Sequence, residues 1–345
     1  MSAASRKSAS PESQPKATRK EKNKLPGKKT SQKARPYRTG YVALIGRPNT
    51  GKSTLLNSLL GRKVAIVSDK PQTTRVSILG IKTTERGQII FIDNPGVHKP
   101  LHLMNRRMMN YVYSSLEMAD LVLLMIDATR KFGHGDQYVL DMLKKITRPI
   151  FLLINKVDLV KKESILPMID SYKDLLPFKE IVPISALKGD NLDRLEKLIY
   201  DYLPEAEKIY SDEEISDQSE KFLLSEIIRE KILHHVEEEL PYTTAVIIRS
   251  IEKSELPARP ASGRKPALPP RPLVRIQAEI LVEKENHKGI LIGKKGSMLK
   301  TIGSEARQEM EEILKSKVFL EISVRVRERW RDSEEILDLI EEQKS

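Results

Sequence analysis

Residues 46–53 read Gly-Arg-Pro-Asn-Thr-Gly-Lys-Ser and lie between an apolar run, residues 41–45, and a stretch with helical spacing that begins at Lys52. A glycine-rich turn between a strand and a helix lets backbone N–H groups point at phosphate oxygens, and the helix N-terminus adds partial positive charge. In this context the pattern predicts a P-loop, in which Lys52 bridges the β and γ phosphates and Ser53 binds Mg²⁺. A chance glycine turn is the alternative, and the strand–helix context disfavours it.

The base that accompanies the phosphates is indicated by residues 155–158, Asn-Lys-Val-Asp, which directly follow the apolar run 150–154. Guanine presents two adjacent donors, N1–H and the 2-amino group, and Asp158 can accept hydrogen bonds from both. Adenine lacks this pair of donors and would leave a buried carboxylate unsatisfied. Asn155 is expected to support the loop, and the stem of Lys156 to cover the face of the ring. The spacing therefore predicts GTP and GDP as ligands.

Three further segments occur in the order that a GTP site requires. Residues 72–75, Gln-Thr-Thr-Arg, offer hydroxyl groups for the metal and the γ-phosphate, and Thr74 is the predicted ligand. Asp93 follows a predicted strand and is expected to hold the Mg²⁺ sphere through water, while the Gly96 amide senses the γ-phosphate. Residues 185–187, Ser-Ala-Leu, are expected to donate a backbone N–H to guanine O6. Each segment alone could be an ordinary surface loop, but together they favour a complete site.

These segments together give the complete set of predicted site residues. The residues predicted to bind GTP are Gly46, Arg47, Pro48, Asn49, Thr50, Gly51, Lys52, Ser53, Thr54, Asp93, Asn94, Pro95, Gly96, Val97, Asn155, Lys156, Asp158, Ser185, Ala186 and Leu187. Lys52, Thr74 and Gly96 are the predicted catalytic residues, and Ser53, Thr74 and Asp93 the predicted metal ligands.

One absence from the pattern bears on the rate of hydrolysis. Val97 occupies the position after Asp-x-x-Gly where many GTPases place the glutamine that orients the attacking water. Valine cannot do this, so hydrolysis is expected to be slow or to use another device. Asn49 is the candidate for that device, since related GTPases with asparagine here can use it to coordinate K⁺, which would neutralise developing charge. The alternative is a purely structural role, in which Asn49 only shapes the loop.

A second motif lies near the C-terminus, where residues 293–296 read Gly-Lys-Lys-Gly between two predicted short helices. The predicted elements after residue 220 run helix, strand, strand, helix, helix, strand. This is the GXXG arrangement of a KH domain, whose loop clamps a single-stranded nucleic-acid backbone, although a plain basic turn is the alternative. The predicted RNA contacts are Ile290, Ile292, Gly293, Lys294, Lys295, Gly296, Lys300 and Ile302, with core packing as the alternative role of the isoleucines.

The alternation of apolar runs and helical stretches predicts an α/β domain with a mostly parallel sheet and helices on both faces. We predict a P-loop GTPase domain over residues 39–204, followed by an α+β type-II KH domain. The region 205–345 contains a linker and the KH domain. Within it, residues 256–272 hold six prolines and are predicted to form a loop insertion. Residues 1–38 are predicted to form a disordered basic tail.

The net charge of the chain, +12, is concentrated at its start. Residues 1–39 contain twelve Lys or Arg and two Glu, a net of +10, which leaves +2 for the other 306 residues. The bulk charge alone therefore does not predict nucleic-acid binding by the folded part. The absence of cysteine excludes disulfides and zinc–thiolate sites. No apolar run approaches the ~20 residues that span a bilayer, so we expect a soluble, cytoplasmic protein.

The motifs GRPNTGKST, PQTTR, DNPG, NKVD, SALKG, ELPY and ILIGKKGSMLKTIGSEAR closely resemble those of the Era GTPases, over about residues 40–330. The resemblance implies a monomeric GTPase that binds the 3′ end of small-subunit ribosomal RNA with its KH domain. It also implies a role in assembly of the small ribosomal subunit and peripheral contact with the inner membrane. The alternative is a regulatory GTPase that switches a protein or membrane partner, with the KH unit only structural.

Three features depart from the family pattern. The family usually has threonine where Asn94 stands, and little effect is expected because the position contributes little side-chain chemistry. The proline-rich insertion lies between two predicted KH strands and could shield or extend the RNA surface. The basic tail is outside the common pattern and would add non-specific affinity for RNA or anionic lipid.

Overall fold

A six-stranded sheet forms the first half of the chain in the computed structural model, which describes residues 36–257 and 270–344. The strand order is β2-β3-β1-β4-β5-β6, and every neighbouring pair is parallel except β2 with β3. The strands are β1 (Arg38–Gly46), β2 (Ile78–Thr84), β3 (Gly87–Asp93), β4 (Leu121–Asp127), β5 (Ile150–Asn155) and β6 (Glu180–Pro183).

Helices cover both faces of this sheet, which is why its central strands read as continuous apolar runs. The helices are α1 (Lys52–Leu60), α2 (Leu103–Met118), α3 (His134–Leu143), α4 (Ile165–Tyr172) and α5 (Leu192–Tyr202). Val42 and Leu44 of β1 pack on one face with residues of α1 and α5, whereas Ala43 and Ile45 pack on the other with residues of α2 and α3. The predicted α/β class is confirmed. The antiparallel edge strand β2 and helix α4 were not predicted.

A three-stranded sheet organises the second half of the chain, with the order β7-β8-β9. β8 (Arg271–Val282) is antiparallel to β7 (Ala245–Leu256) and parallel to β9 (Lys317–Val326). Helices α6 (Glu220–His235), α8 (Glu285–Ile292) and α9 (Ser297–Leu314) occur in the predicted order and pack with one face of the sheet. The predicted α+β KH arrangement is confirmed, and α7 (Leu240–Thr243) and α10 (Glu334–Glu342) are additional helices.

The proline-rich insertion predicted over 256–272 overlaps the ends of two strands. β7 extends to Leu256, and β8 begins at Arg271, with Pro272 near the start of the strand, where a missing N–H is tolerated. Residues 258–269 lie outside the described ranges, as do residues 1–35 of the predicted basic tail. None of the helices within the described ranges has the length and apolar character needed to cross a membrane.

An apolar cluster joins the two halves of the chain. Met104 and Met108 of α2 pack with Trp330 and with Leu337 of α10. Trp330 is fully buried, and its indole Nε1 donates a hydrogen bond to the backbone oxygen of Thr243 at 2.8 Å. The C-terminal segment therefore packs against the first half of the chain as well as its own sheet.

Candidate guanine-nucleotide site and RNA-binding loop

A cavity of about 400 Å³ opens at the carboxyl edge of the six-stranded sheet, where ligands bind in open α/β sheets. β1, β3 and β5 all end there. The predicted site residues in its wall are Pro48, Asn49, Gly51, Lys52, Ser53, Thr54, Thr74, Gly96, Asn155, Lys156, Asp158, Ala186 and Leu187. The structure thus brings together segments that lie more than a hundred residues apart in the sequence.

Asn155 ties three loops of the site to one another. Its Nδ2 donates to the backbone oxygen of Thr50 at 2.7 Å, and its Oδ1 accepts from the backbone N of Ala186 at 2.9 Å. The close approach requires glycine at position 51, whose φ is +98° and where a Cβ would lie 2.2 Å from Asn155 Nδ2. Asn155 therefore supports the loop, as predicted, by holding the P-loop and the 185–187 segment in place.

Lys52 lies at the base of the P-loop, where its Nζ donates to the backbone oxygens of Arg47 at 3.0 Å and Gly46 at 3.3 Å. Burial lowers the pKa of Lys52 to about 8, and nearby Asp93 partly opposes this effect. Within the described part of the chain this buried ammonium has only carbonyl oxygens as hydrogen-bond partners, so a bound anion would stabilise its charge.

The three predicted metal ligands meet at one point. Ser53 Oγ donates to Asp93 Oδ2 at 2.6 Å and lies 2.9 Å from Thr74 Oγ1, which is itself 3.3 Å from Asp93 Oδ2. Asp93 is fully buried, which raises its pKa, and its Oδ1 has no hydrogen-bond partner among the residues that the structure describes. Hydroxyl and carboxylate oxygens are the ligands that Mg²⁺ prefers. The unpartnered buried oxygen makes this cluster fit a divalent cation.

The base-binding end of the cavity is built around Lys156 and Asp158. Lys156 Nζ donates to Asp127 Oδ2 at 2.6 Å. Burial alone would raise the pKa of Asp127, but hydrogen bonds from Lys156 and Thr129 hold it below its usual range. The charged Asp127 therefore fixes the Lys156 side chain along the cavity, and Asp158 lies exposed in its wall.

Some predicted residues lie beside the cavity rather than in its wall, namely Gly46, Arg47, Thr50, Asp93, Asn94, Pro95, Val97 and Ser185. The Val97 side chain is buried in the core beneath α2, and its amide donates to the backbone oxygen of Gly46 at 2.9 Å. Arg47 points away and pairs with Asp136 at 2.9 Å.

Asn94 departs from the expectation that its side chain contributes little. It is fully buried, accepts a hydrogen bond from Ser77 Oγ at 2.7 Å, and donates to the backbone oxygen of Ile92 at 3.2 Å. That expectation is wrong because the amide connects β3 to the segment before β2.

Several wall residues were not among the predicted site residues, although two of them, Gln72 and Thr73, lie in the predicted 72–75 segment: Ile66, Val67, Ser68, Asp69, Gln72, Thr73, Arg130 and Leu159. Most of them belong to the segment between α1 and β2, which has no motif apart from residues 72–75. Besides the contact between Ser53 and Thr74, Asn49 Nδ2 of the P-loop donates to the backbone oxygen of Asp69 in this segment.

The Gly-Lys-Lys-Gly loop connects α8 to α9 and presents both lysines to solvent. Gly293 has φ +73°, and a Cβ there would lie 2.7 Å from the Cβ of Met298, so glycine is required. Within residues 36–257 and 270–344, Lys294, Lys295 and Lys300 are exposed and form no ion pair with a carboxylate. The loop and the start of α9 therefore present positive charge that no carboxylate of these residues neutralises, close to the protein backbone at Gly293.

The three isoleucines predicted to contact RNA have different environments. Ile290 is 52% exposed and Ile292 is half-buried, so both can form an apolar surface next to the loop. Ile302 is fully buried in the core with residues of α6 and the sheet, and its prediction as an RNA contact is wrong. Helical periodicity places it on the inner face of α9.

Comparison with protein families gives two matches along the chain. Residues 41–156 match the model of the 50S ribosome-binding GTPases, and residues 270–331 match that of the KH domain. These matches contain the P-loop and the Gly-Lys-Lys-Gly loop, respectively.

Two relatives match over nearly their whole length. The chain is 47% identical over 302 residues to GTPase Era of Geobacter metallireducens, covering 88% of this chain and 97% of the relative. It is 44% identical to GTPase Era of Ruminiclostridium cellulolyticum, covering 87% and 96%. Among solved structures, Era in complex with MgGDPNP and nucleotides 1506–1542 of 16S ribosomal RNA is 42% identical, with a TM-score of 0.81 and coverage of 88% and 98%. An Aquifex aeolicus Era variant bound to GDP and AlF4⁻ is 42% identical, with a TM-score of 0.79.

Proposed function

Since this chain belongs to the Era family of GTPases, we propose that it hydrolyses GTP in the cavity at the sheet edge and binds ribosomal RNA through its KH domain. The RNA ligand is the 3′ end of the small-subunit ribosomal RNA, and the process served is assembly of the small ribosomal subunit. The observation that carries this proposal is the exposed, uncompensated Gly-Lys-Lys-Gly loop, in a chain whose Era relative was solved with 16S ribosomal RNA nucleotides.

In the proposed site, Lys52 and the Gly96 amide bind the phosphates, while Ser53, Thr74 and Asp93 hold Mg²⁺. When bound, Mg²⁺ neutralises charge that develops on the phosphate oxygens. The short distances among the three ligands support this assignment, as does the unpartnered Oδ1 of Asp93. An Era relative that is 42% identical was solved in complex with MgGDPNP.

Guanine would be recognised at the other end of the cavity. Asp158 would accept hydrogen bonds from N1–H and the 2-amino group, and a backbone N–H of residues 185–187 would donate to O6. Lys156, fixed by Asp127, covers the face of the ring. Base selection and phosphate chemistry would therefore occur on different loops, which Asn155 holds together through its hydrogen bonds.

Hydrolysis would proceed without a glutamine after Asp-x-x-Gly, because Val97 occupies that position and its side chain is buried in the core. We assign the side-chain oxygen of Asn49 as a ligand for K⁺, which would neutralise charge near the β and γ phosphates. The Asn49 amide already donates to the Asp69 carbonyl, so the P-loop and the 66–69 segment lie close enough to share a cation. Slow intrinsic turnover is the expected behaviour.

The RNA strand would lie across α8 and α9. Lys294, Lys295 and Lys300 neutralise phosphates, while Ile290 and Ile292 contact bases from the adjacent apolar surface. The protein is proposed to act as a monomer in the cytoplasm, with peripheral contact with the inner membrane.

Binding of a labelled oligonucleotide with the small-subunit rRNA 3′-end sequence tests the proposal. Gly293→Asp should abolish specific binding, because the side chain meets Met298 and adds negative charge beside the phosphates. GTP affinity should persist, since the cavity lies on the other sheet. Unchanged RNA affinity in a folded Gly293→Asp variant would favour the purely structural KH unit.

A further inference from the structure

Both neighbours of Thr74 in the sequence are held by the domain that carries the Gly-Lys-Lys-Gly loop. The backbone oxygen of Thr73 accepts a hydrogen bond from Arg229 Nη2 of α6. The guanidinium of Arg75 donates to the backbone oxygens of Thr244 at 2.6 Å and Pro241 at 2.9 Å. Thr74, between these two anchors, points the other way, toward Ser53 and Asp93.

The two arginines are buried and rigidly held. Arg229 donates from Nε and Nη2 to the two carboxylate oxygens of Glu226, each at 2.6 Å. Arg75 lies 5.6 Å from the ring centroid of Trp330, and within the described ranges it forms no ion pair. Burial lowers the pKa of Arg75 to about 9, and the nearby charge of Arg229 adds to this effect. A buried cation that donates to several fixed carbonyls has little freedom to move.

Further contacts of α6 run along the same segment. Glu230 Oε1 accepts from the backbone N of Val67 at 3.1 Å, and Lys63 Nζ lies 2.5 Å from carboxylate oxygens of both Glu230 and Glu309. Val67, Thr73 and Thr74 line the nucleotide cavity. The segment from residue 63 to residue 75 therefore lies between the cavity on one side and α6 on the other.

We propose that Arg229 and Arg75 are positioning residues for GTP hydrolysis. They fix the backbone on either side of Thr74, so that its hydroxyl faces the metal ligands Ser53 and Asp93. The second domain thus completes the catalytic site of the first. This inference rests on the proposed function, because the placement of Thr74 matters only if the cavity binds Mg²⁺ and GTP.

The central test removes the anchor without leaving a buried charge unpaired. In the full-length chain, Glu226→Gln combined with Arg229→Met removes the ion pair and the donor to the Thr73 oxygen, and Glu226→Gln alone, which keeps that donor, is the matched background. Arg249→Gln is the control for loss of an arginine elsewhere in the second domain, because Arg249 pairs with Glu279 on the three-stranded sheet. Single-turnover GTP hydrolysis, Kd for GDP and thermal unfolding are measured for each variant.

The double variant should hydrolyse GTP about 10- to 100-fold more slowly than Glu226→Gln, since displacing a catalytic group by about 1 Å can cost this much. Its Kd for GDP should change less than about threefold, because GDP lacks the γ-phosphate beside Thr74. Arg249→Gln should match wild type in both quantities. Arg229→Lys, which keeps one donor for the Thr73 oxygen, should recover part of the rate.

Two results would overturn the positioning role. One is a double variant whose turnover lies within twofold of Glu226→Gln. The other is a loss of GDP affinity as large as the loss of turnover, which would indicate general damage to the site. Failure of the proposed function is distinguishable, because wild type itself would then show no GTP turnover in the same series.

Discussion

Replacing Asn155 by alanine should both destabilise the protein and open the nucleotide site. The substitution leaves two buried backbone groups, the oxygen of Thr50 and the N–H of Ala186, without their partners. An unsatisfied buried group costs about 1–3 kcal/mol, so the free energy of unfolding should fall by about 2–6 kcal/mol. Part of this loss should fall on the loop arrangement that binds nucleotide. If that part is about 2 kcal/mol, it must be regained on binding, and the Kd for GDP rises about 30-fold.

Gln88 provides a matched control near the amino-terminal end of β3, at the end of the strands away from the nucleotide cavity. It is also a fully buried amide with backbone partners, since its Oε1 accepts from the N–H groups of Ile209 and Tyr210, both at 2.9 Å. Gln88→Ala should lower the free energy of unfolding comparably and leave the Kd for GDP unchanged.

Urea unfolding and titration with a fluorescent GDP analogue separate the two effects. Both variants should lose stability, and only Asn155→Ala should lose affinity. If Asn155→Ala binds GDP as tightly as Gln88→Ala does, Asn155 does not hold the loops of the site together.

Three further predictions concern the nucleotide site. Asp158→Asn should lose GTP and gain xanthosine triphosphate, because xanthine has a carbonyl where guanine has an amine; equal GTP affinity in wild type and variant, by direct titration, would contradict the assignment. Turnover should be faster in K⁺ than in Na⁺ at equal ionic strength, and Asn49→Ala should abolish the difference, whereas equal rates in both salts would leave Asn49 a structural role. Lys52, with its pKa lowered to about 8, is charged below that pH and loses its charge as pH rises. GDP affinity should therefore fall only about twofold from pH 7 to 8 and up to about tenfold per unit above it, and a flat profile to about pH 9.5 would show that Lys52 stays charged.

The elements that the sequence predicted well are those with a strong periodic signal. β1, β4 and β5 are buried on both faces and read as apolar runs, and α2 and α9 show helical spacing. β2 was missed because its residues from Lys82 to Thr84 are only half-buried at the sheet edge. The motif loops were placed correctly because a P-loop needs a strand before it and a helix after it.

The features that could not be predicted depend on contacts between distant residues. Ile302 could face either a nucleotide groove or the core, and only the packing of α9 against α6 decides this. The contact of Arg229 with the Thr73 oxygen joins residues 156 positions apart, and neither residue belongs to a motif that implies the other. The side chain of Asn94 was expected to contribute little because no motif in the sequence connects it to its hydrogen-bond partner Ser77.

The central claim is that one chain binds both a guanine nucleotide and the 3′ end of small-subunit ribosomal RNA. It is tested most directly by titrating the full-length protein, loaded with a non-hydrolysable GTP analogue and Mg²⁺, with the 3′-end oligonucleotide and with a scrambled sequence of equal length. The 3′-end sequence should bind preferentially, and Gly293→Asp should abolish this binding while the analogue stays bound. Equal affinity for the two oligonucleotides, unaffected by Gly293→Asp, would contradict it.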